Sequence, residues 1–233
     1  MESDPARAPQ RATRTTSNQL AITLDMGASM VKASMARRNA QGKFSGGWKN
    51  ITSWPGRGSM DTNSCPTTVA VARNSPDNCE KSMFWGWEAP HKLLNHGDSY
   101  EEYNHIKSWL MEEAESRKVL DTATVGMFYV RSLLKHVIGG QSCESLFIQI
   151  AVPTYVWEGK ANRYLETFQS ASPIENTVVR VTDEATAAAV AWAKLELSKS
   201  CNESLRVKNA CFTTVDFGSK TTVRKAFLLC KLG

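Results

Sequence analysis

The chain has 233 residues, of which 42% are hydrophobic and 22% charged, and its formal net charge is +5. This composition is typical of a globular protein with enough apolar residues for a core, and it excludes disordered, collagen-like and membrane-spanning classes for the chain as a whole. Most of the positive excess lies in residues 206–233, which carry six basic and one acidic side chain. Such a segment suits an anionic ligand or a solvated edge, and no aromatic stripe accompanies it, so a nucleic-acid partner is not predicted.

The cysteines and the N-terminal residues bear on the cellular compartment. Six cysteines are scattered without a C-x-x-C pair or a histidine at metal-ligand spacing, which disfavours zinc sites and redox dithiols. We therefore expect a reducing, cytoplasmic environment. Residues 1–18 contain three arginines and no apolar run, so we interpret them as a disordered tail and not as a secretory signal. No apolar run of membrane-spanning length follows, and no membrane partner is predicted.

The first ordered elements are predicted to be strands. A β-prone run over 20–24 ends at a turn that contains Asp25 and Gly27, and an extended pattern resumes over 31–37. We predict a third strand over 49–54. Segments 66–72 and 82–87 are predicted to add an edge hairpin.

Two helices are predicted next. Apolar residues at 103, 106, 110 and 114 recur at helical spacing and predict one amphipathic helix. A second helix is predicted by the apolar positions between 125 and 137. Asp121 or Thr122 suits its N-cap, and Gly139-Gly140 suits its end.

The last third of the sequence has an alternating strand and helix pattern. The apolar run Leu146–Val152 predicts a strand that is buried on both faces. The remaining predicted elements are a helix over 157–171 that ends at Pro173, a strand over 178–182, a helix over 184–197, and a hairpin of strands 210–216 and 221–229.

Two of these strands end in the same kind of signal, Leu24-Asp-Met-Gly-Ala-Ser29 and Val215-Asp-Phe-Gly-Ser-Lys-Thr221. A carboxylate at a strand end suits hydrated Mg²⁺, and a glycine turn with hydroxyls offers donors to phosphate oxygens. One copy is also typical of an ordinary hairpin. Two copies together with the carboxylates of Thr182-Asp-Glu-Ala-Thr-Ala-Ala-Ala189 favour a metal and phosphate site. There Asp183 suits an N-cap, Glu184 suits a position facing a cleft, and the alanines also suit close helix packing.

These segments resemble the nucleotide-binding domain of the 70-kDa heat-shock chaperones, which belongs to the actin, sugar-kinase and chaperone ATPase superfold. The two Asp-x-Gly segments are similar to the first and second phosphate loops of that family. Ile150-Ala-Val-Pro-Thr-Tyr155 resembles its T-V-P-A-Y strand, and segment 182–189 its N-E-P-T-A-A-A helix. Cys65-Pro-Thr-Thr-Val69 and Phe84-Trp-Gly86 fit intervening segments, and the Trp-rich middle is similar to divergent chaperone-like proteins of filamentous fungi.

The resemblance implies an α/β fold, namely an actin-like ATPase lobe of the ribonuclease H-like type with a mixed five-stranded sheet. It implies three regions: a tail over 1–18, a first lobe over 19–200, and the incomplete start of a second lobe over 201–233. The implied ligands are ATP or ADP with Mg²⁺, and the implied protein partners are co-chaperones and clients. Closure of two lobes around the nucleotide would then signal to those partners.

The resemblance also assigns roles to particular residues. Asp25 and Asp216 would hold Mg²⁺ largely through water, and Glu184 would orient water near the metal, so that Glu184 and Asp216 are the implied catalytic pair. Catalysis in such a site is chiefly positioning and charge stabilisation. The residues implied to wrap the triphosphate are Gly27, Ala28, Ser29 and Met30 on one side and Gly218, Ser219, Lys220 and Thr221 on the other.

The sequence departs from the family pattern in the second loop and at the C-terminus. The family has three glycines in that loop, whereas Ser219 and Lys220 occupy two of those places here. A lysine that the family places after x-x-G corresponds to Pro90, with Lys92 nearby. Because the sequence stops 17 residues after Asp216, most of a second lobe is not included, and we expect a truncated product with little or no hydrolysis.

Two functions are alternatives to a chaperone-type ATPase. A degenerate relative that binds no nucleotide and acts through protein contacts is favoured by Ser219 and Lys220. A sugar kinase of the same superfold is disfavoured, because no acceptor-orienting aspartate with a sugar-contact segment is evident. The sequence contains neither the G-x-x-x-x-G-K-[ST] phosphate loop nor the G-x-S-x-G nucleophile motif.

Overall fold

The computed structural model describes residues 18–39, 43–74, 80–110, 119–152, 161–198, 210–217 and 222–229. Its strands are β1 (Gln19–Met26), β2 (Met30–Arg38), β3 (Phe44–Asn50), β4 (Cys65–Pro66), β5 (Val69–Ala72), β6 (Met83–Trp85), β7 (Tyr100–Tyr103), β8 (Ser145–Val152), β9 (Thr177–Asp183), β10 (Ala210–Phe217) and β11 (Thr222–Leu229). Its helices are α1 (Glu88–His96), α2 (Ile106–Trp109), α3 (Thr122–Ile138), α4 (Ala161–Ala171) and α5 (Glu184–Ser198).

The central element is a mixed sheet with the strand order β3-β2-β1-β8-β9. Strand β1 is antiparallel to β2 and parallel to β8, and β8 is parallel to β9. The predicted mixed sheet of five strands is therefore confirmed, and the two-residue strand β4 adds to it by pairing with β2. The carboxyl ends of the three parallel strands lie at one edge of the sheet.

Two smaller sheets complete the described architecture. Strands β6, β5 and β7 form an antiparallel sheet, and α1 packs against it. The hairpin predicted over 66–72 and 82–87 is present as β5 and β6, but it belongs to this separate sheet with β7 and not to an edge of the central sheet. Strands β10 and β11 form the predicted antiparallel pair, and α5 packs against both of them.

The two faces of β1 have different environments because its side chains alternate. Leu20, Ile22, Leu24 and Met26 are buried and belong to the main hydrophobic core. Helices α3 and α4 cover this face, contributing among others Tyr129 and Tyr164, whose hydroxyl lies 3.3 Å from the Met26 sulfur. The opposite face carries Thr23 and Asp25 and is only partly covered.

The capping signals predicted for α3 are confirmed. The Asp121 carboxylate accepts hydrogen bonds from the Thr124 N–H at 2.7 Å and from the Thr124 hydroxyl at 2.8 Å. Gly139 ends the helix in a left-handed conformation with φ of 59°, and its N–H donates to the Lys135 carbonyl. These contacts satisfy backbone groups that a helix end leaves unpaired.

The helix predicted from residues 103, 106, 110 and 114 is wrong at its start. Tyr103 lies in β7, where it pairs with Val69 of β5, and the helix that follows is only α2. His105 separates the two elements because its φ of 63° is left-handed and cannot continue a right-handed helix. Ala114 lies outside the described residues.

Two strand predictions also need correction. The third strand runs over Phe44–Asn50, earlier than the predicted 49–54, because Phe44 and Ser45 already pair with β2; the register then shifts near Gly46 and Gly47, which adopt positive φ. Strand β8 is not buried on both faces. Its even-numbered residues are buried, whereas Phe147, Gln149 and Ala151 are partly exposed.

None of the helices in the described part of the chain is long and apolar enough to cross a membrane. Among the described cysteines, Cys65 is buried and Cys143 is half-buried, and both are free thiols. Burial raises the pKa of Cys65 to about 12, so its thiol is protonated and unreactive at neutral pH.

Candidate functional site

The turn between β1 and β2 is tightly constrained at Gly27. The Gly27 N–H donates to the Met30 carbonyl at 2.8 Å. A Cβ atom at position 27 would lie 2.9 Å from that same carbonyl oxygen, which is too close. Glycine therefore allows the two strands to approach each other directly at the end of β1.

Thr67 holds the back of this turn. Its hydroxyl donates to the Ala28 carbonyl and its N–H donates to the Ser29 carbonyl, both at 2.9 Å. Thr67 itself is buried, with 1% of its surface exposed. Because a trans peptide directs its N–H opposite to its carbonyl, the Ser29 N–H points away from Thr67. Within the described residues, neither Ala28 nor Ser29 donates its N–H in a hydrogen bond.

Asp25 lies beside the turn and faces a cavity of about 490 Å³. Its side chain is 58% exposed, and Lys32, its partner in the β1–β2 register, approaches it at 4.0 Å. An ion pair so long and so exposed contributes little to stability, so both charges are available to a ligand. The other polar side chains that line the cavity are Thr23, Ser34, Asn50, Asn63, Gln149 and Thr182.

Glu184 begins α5 at the same edge of the sheet. Asp25 pairs with Ala151 of β8, and Ala151 pairs with Thr182 of β9, two residues before Glu184. Since neighbouring strands lie about 4.8 Å apart, β1 and β9 are separated by about 10 Å. The two acidic positions thus flank the carboxyl end of β8.

The Glu184 carboxylate is held by a lysine. Lys107 of α2 donates to the Glu184 Oε1 at 2.7 Å, and both side chains are largely buried. The preceding residue, Asp183, has the predicted capping role: its carboxylate accepts from the Thr186 N–H at 2.7 Å. The ion pair fixes Glu184 at the junction of β9 and α5 and links this junction to α2.

The second predicted loop is described only in part. Asp216 lies near the end of β10, where it pairs with Val223 of β11. Gly218, Ser219, Lys220 and Thr221 lie outside the described residues. Helix α5 connects the two predicted halves of the site, since Glu184 begins it and β10 and β11 pack against it.

Three residues of this site were not predicted from the sequence. Lys32 could have been found, because a hairpin whose turn is centred on Ala28 and Ser29 places Lys32 opposite Asp25. Thr67 lies in a segment that resembles the family, but its contact with the turn, like that of Lys107 with Glu184, forms only through the tertiary fold. Within the described residues, no group of three or more His, Cys, Asp or Glu side chains is arranged to hold a metal.

Comparison with known proteins bears on the fold. No family model matches the sequence, and no curated protein matches it. A solved structure, the MamK double helical filament, is similar over 92% of this chain with a TM-score of 0.53 and 14% sequence identity. The chain has the actin-like ATPase fold. It spans 55% of the length of the MamK chain in that structure.

A second structure, a non-polymerising A278D mutant of MamK bound to AMPPNP, matches 71% of this chain and 41% of its own, with 15% identity and a TM-score of 0.42. The actin-like fold confirms the superfold part of the sequence prediction. The narrower resemblance to the 70-kDa heat-shock chaperones stays a prediction, as do the division into lobes and the residue roles.

Proposed function

We propose that this chain binds Mg²⁺–ATP or Mg²⁺–ADP at the turn between β1 and β2. The observation that carries the proposal is the pair of unpartnered N–H groups, at Ala28 and Ser29, next to an exposed carboxylate that lines a cavity. Backbone N–H groups of this kind bind phosphate oxygens, and carboxylates bind hydrated Mg²⁺.

The phosphate half of the proposal rests on the shape of the turn. Thr67 holds the turn from behind, so the Ser29 N–H is oriented before any ligand arrives. Gly27 adds no side chain at the point of approach. Lys32 adds a cation that a polyphosphate can attract away from Asp25, since their separation is already 4.0 Å.

The metal half of the proposal rests on Asp25. Its exposed carboxylate fits a hard cation that keeps most of its water ligands. Mg²⁺, when bound, neutralises charge on the phosphate oxygens. Asp216 is proposed as the second carboxylate on the strength of the sequence resemblance, and so are Met30 and residues 218–221 as further phosphate contacts.

Glu184 and Lys107 are proposed to act as a unit. The ammonium of Lys107 orients the Glu184 carboxylate at the sheet edge, where that carboxylate would accept a hydrogen bond from water.

At the finer level we propose a chaperone-type, cytoplasmic protein related to the 70-kDa heat-shock family and to its divergent fungal members. The sequence motifs support this proposal, and the actin-like fold is consistent with it. We expect little ATP hydrolysis, because Ser219 and Lys220 stand where that family has glycines. Co-chaperones and clients are the proposed partners of the longer protein.

The test is a titration of the purified chain with ATP, ADP, AMP and adenosine, with Mg²⁺ and with EDTA, followed by thermal shift and calorimetry. We expect Mg²⁺-dependent binding that strengthens with the number of phosphates, because the described anchors contact phosphates and not the base. A ligand that binds only the folded state raises the midpoint of unfolding. The Asp25→Asn variant should lose the Mg²⁺ dependence.

Asp98→Asn is the matched control, since Asp98 is an exposed aspartate in a 3-10 turn that does not line the cavity. Equal binding by both variants would reject Asp25 as the metal position. A folded chain that binds none of the four ligands would overturn the proposal and favour a protein-contact module without nucleotide.

A further inference from the structure

The hairpin of β2 and β3 has an unusual charge distribution. Residues 26–60 contain no Asp or Glu at all, although Asp25 and Asp61 border the segment directly. The cations in the segment are Lys32, Arg37, Arg38, Lys43, Lys49 and Arg57. Residues 19–205 have a net charge of −1, so the part of that range outside this +6 segment carries −7, and the segment is a basic patch on an acidic body.

The outer strand of this hairpin carries two exposed aromatic side chains. Phe44 and Trp48 are 43% and 45% exposed, and their ring centroids lie 5.0 Å apart. The guanidinium of Arg38 lies 5.4 Å from the centre of the Phe44 ring. Isolated exposed aromatics are common, but a contacting pair with a cation on it forms a defined surface that a partner can cover.

Strand β3 is also the end of the central sheet. In the described part of the chain it pairs with β2 alone, and its described side chains are exposed. An edge strand presents unpaired N–H and carbonyl groups along its outer side, which invites a further strand. Lys43 and Lys49 and the irregularity at Gly46 and Gly47 are features that commonly protect such an edge from unwanted pairing.

We propose that β3 is a docking site for an acidic, extended peptide segment of another protein. Lysines on an edge repel a second copy of this basic hairpin, since like charges would meet, but they attract a strand that carries carboxylates. An added peptide strand supplies both donors and acceptors to the edge, whereas a nucleic-acid backbone supplies only acceptors. Phe44 and Trp48 then receive the apolar side chains of the incoming strand.

The experiment uses the full chain and a fluorescent peptide in which glutamate and valine alternate over the length of β3, followed by anisotropy at low and high salt. One comparison probe is a peptide in which lysine and valine alternate, and another is an oligo(dT). The last two are glutamate and valine peptides N-methylated on alternate amides, one at the odd-numbered residues and the other at the even-numbered residues. We expect the acidic peptide to bind in a salt-sensitive way and the basic peptide not to bind. Of the two N-methylated peptides, only one should lose binding, because only one edge of the peptide pairs with β3.

Two variants test the named side chains. Lys43→Glu/Lys49→Glu should weaken binding about tenfold or more, and Trp48→Ala about fivefold or more. The matched control is Lys81→Glu/Lys135→Glu, which makes the same charge change at exposed lysines elsewhere and should bind normally. Thermal melting checks that all variants are folded.

Any of four results would overturn the proposal: no binding of the acidic peptide at low salt, equal effects of N-methylation in both peptides, tighter binding of oligo(dT), or equal affinity for the edge and control variants. Self-association that increases with concentration and is lost in Lys43→Glu/Lys49→Glu would point instead to a second copy. None of these results depends on nucleotide binding.

Discussion

The two faces of the central sheet differ in burial and in the kind of side chain that they carry. Ile22 and Leu24 on one face are buried under α3 and α4, whereas the side chains of Thr23 and Asp25, their neighbours in the chain, are on the face with the cavity. The backbone of β1 is shared by both faces. A single strand thus anchors the core with alternate residues and carries the candidate site with the others.

This difference indicates where substitutions will be tolerated. The apolar face gains its free energy from burial, about 25 cal/mol for each Å² of apolar surface removed from water. Thr23, Asp25 and Gln149 on the polar face contribute little of this burial free energy. Such residues are expected on a face that is proposed to bind a ligand. We expect substitutions on the two faces to separate in their effects on stability and binding.

The largest expected effect lies where the polar face meets α2. Replacing Lys107 by Met removes the ammonium that pairs with the largely buried Glu184 carboxylate, and we expect the free energy of unfolding to fall by about 3–5 kcal/mol. Urea denaturation measures this change. The double variant Lys107→Met/Glu184→Leu removes both charges and should recover most of the loss. Equal destabilisation of the single and double variants would show that the charge pair itself is not the cause.

Adjacent residues of β1 give the most direct test of the comparison. Ile22→Ala opens a cavity in the core and should lower the free energy of unfolding by about 2–5 kcal/mol. Thr23→Ala, one residue away on the other face, should change it by less than about 0.5 kcal/mol. Chemical denaturation of both variants checks the difference, and similar losses at the two positions would contradict the division between the faces.

The local parts of the fold were predictable from the sequence. Alternation in residues 20–26 identifies the buried side of β1, and Asp121 and Asp183 cap their helices as their residue types and positions suggest. These features depend on neighbours within a few residues. Tyr103 shows the limit, because its helical spacing gives no hint that it pairs with Val69 across the small sheet.

The candidate site was predictable only in its first turn. Asp25 and Gly27 stand out because a carboxylate and a glycine follow a β-prone run. Lys107 and Glu184 are 77 residues apart, and their contact depends on how α2 packs near the edge of the sheet. Local patterns identify the groups proposed to bind a ligand more readily than the groups that hold them in place.

The smallest expected effect concerns the helix that covers the apolar face. Asp121→Ala removes the N-cap of α3 and should lower the free energy of unfolding by about 1 kcal/mol at neutral pH. The Thr124 N–H lowers the pKa of Asp121 below its ordinary value of 3.8, so the folded state binds the proton less tightly than the unfolded state. This contribution is therefore fully present above pH 3.8 and is lost as the pH falls through the lower, folded-state pKa. Asp121→Asn keeps a capping oxygen but cannot ionise, so its stability should decline less steeply than that of the parent chain over that acid range. Identical acid profiles for the parent chain and Asp121→Asn, measured by urea denaturation from pH 7 to pH 2, would show that the Asp121 charge contributes nothing to the stability of α3.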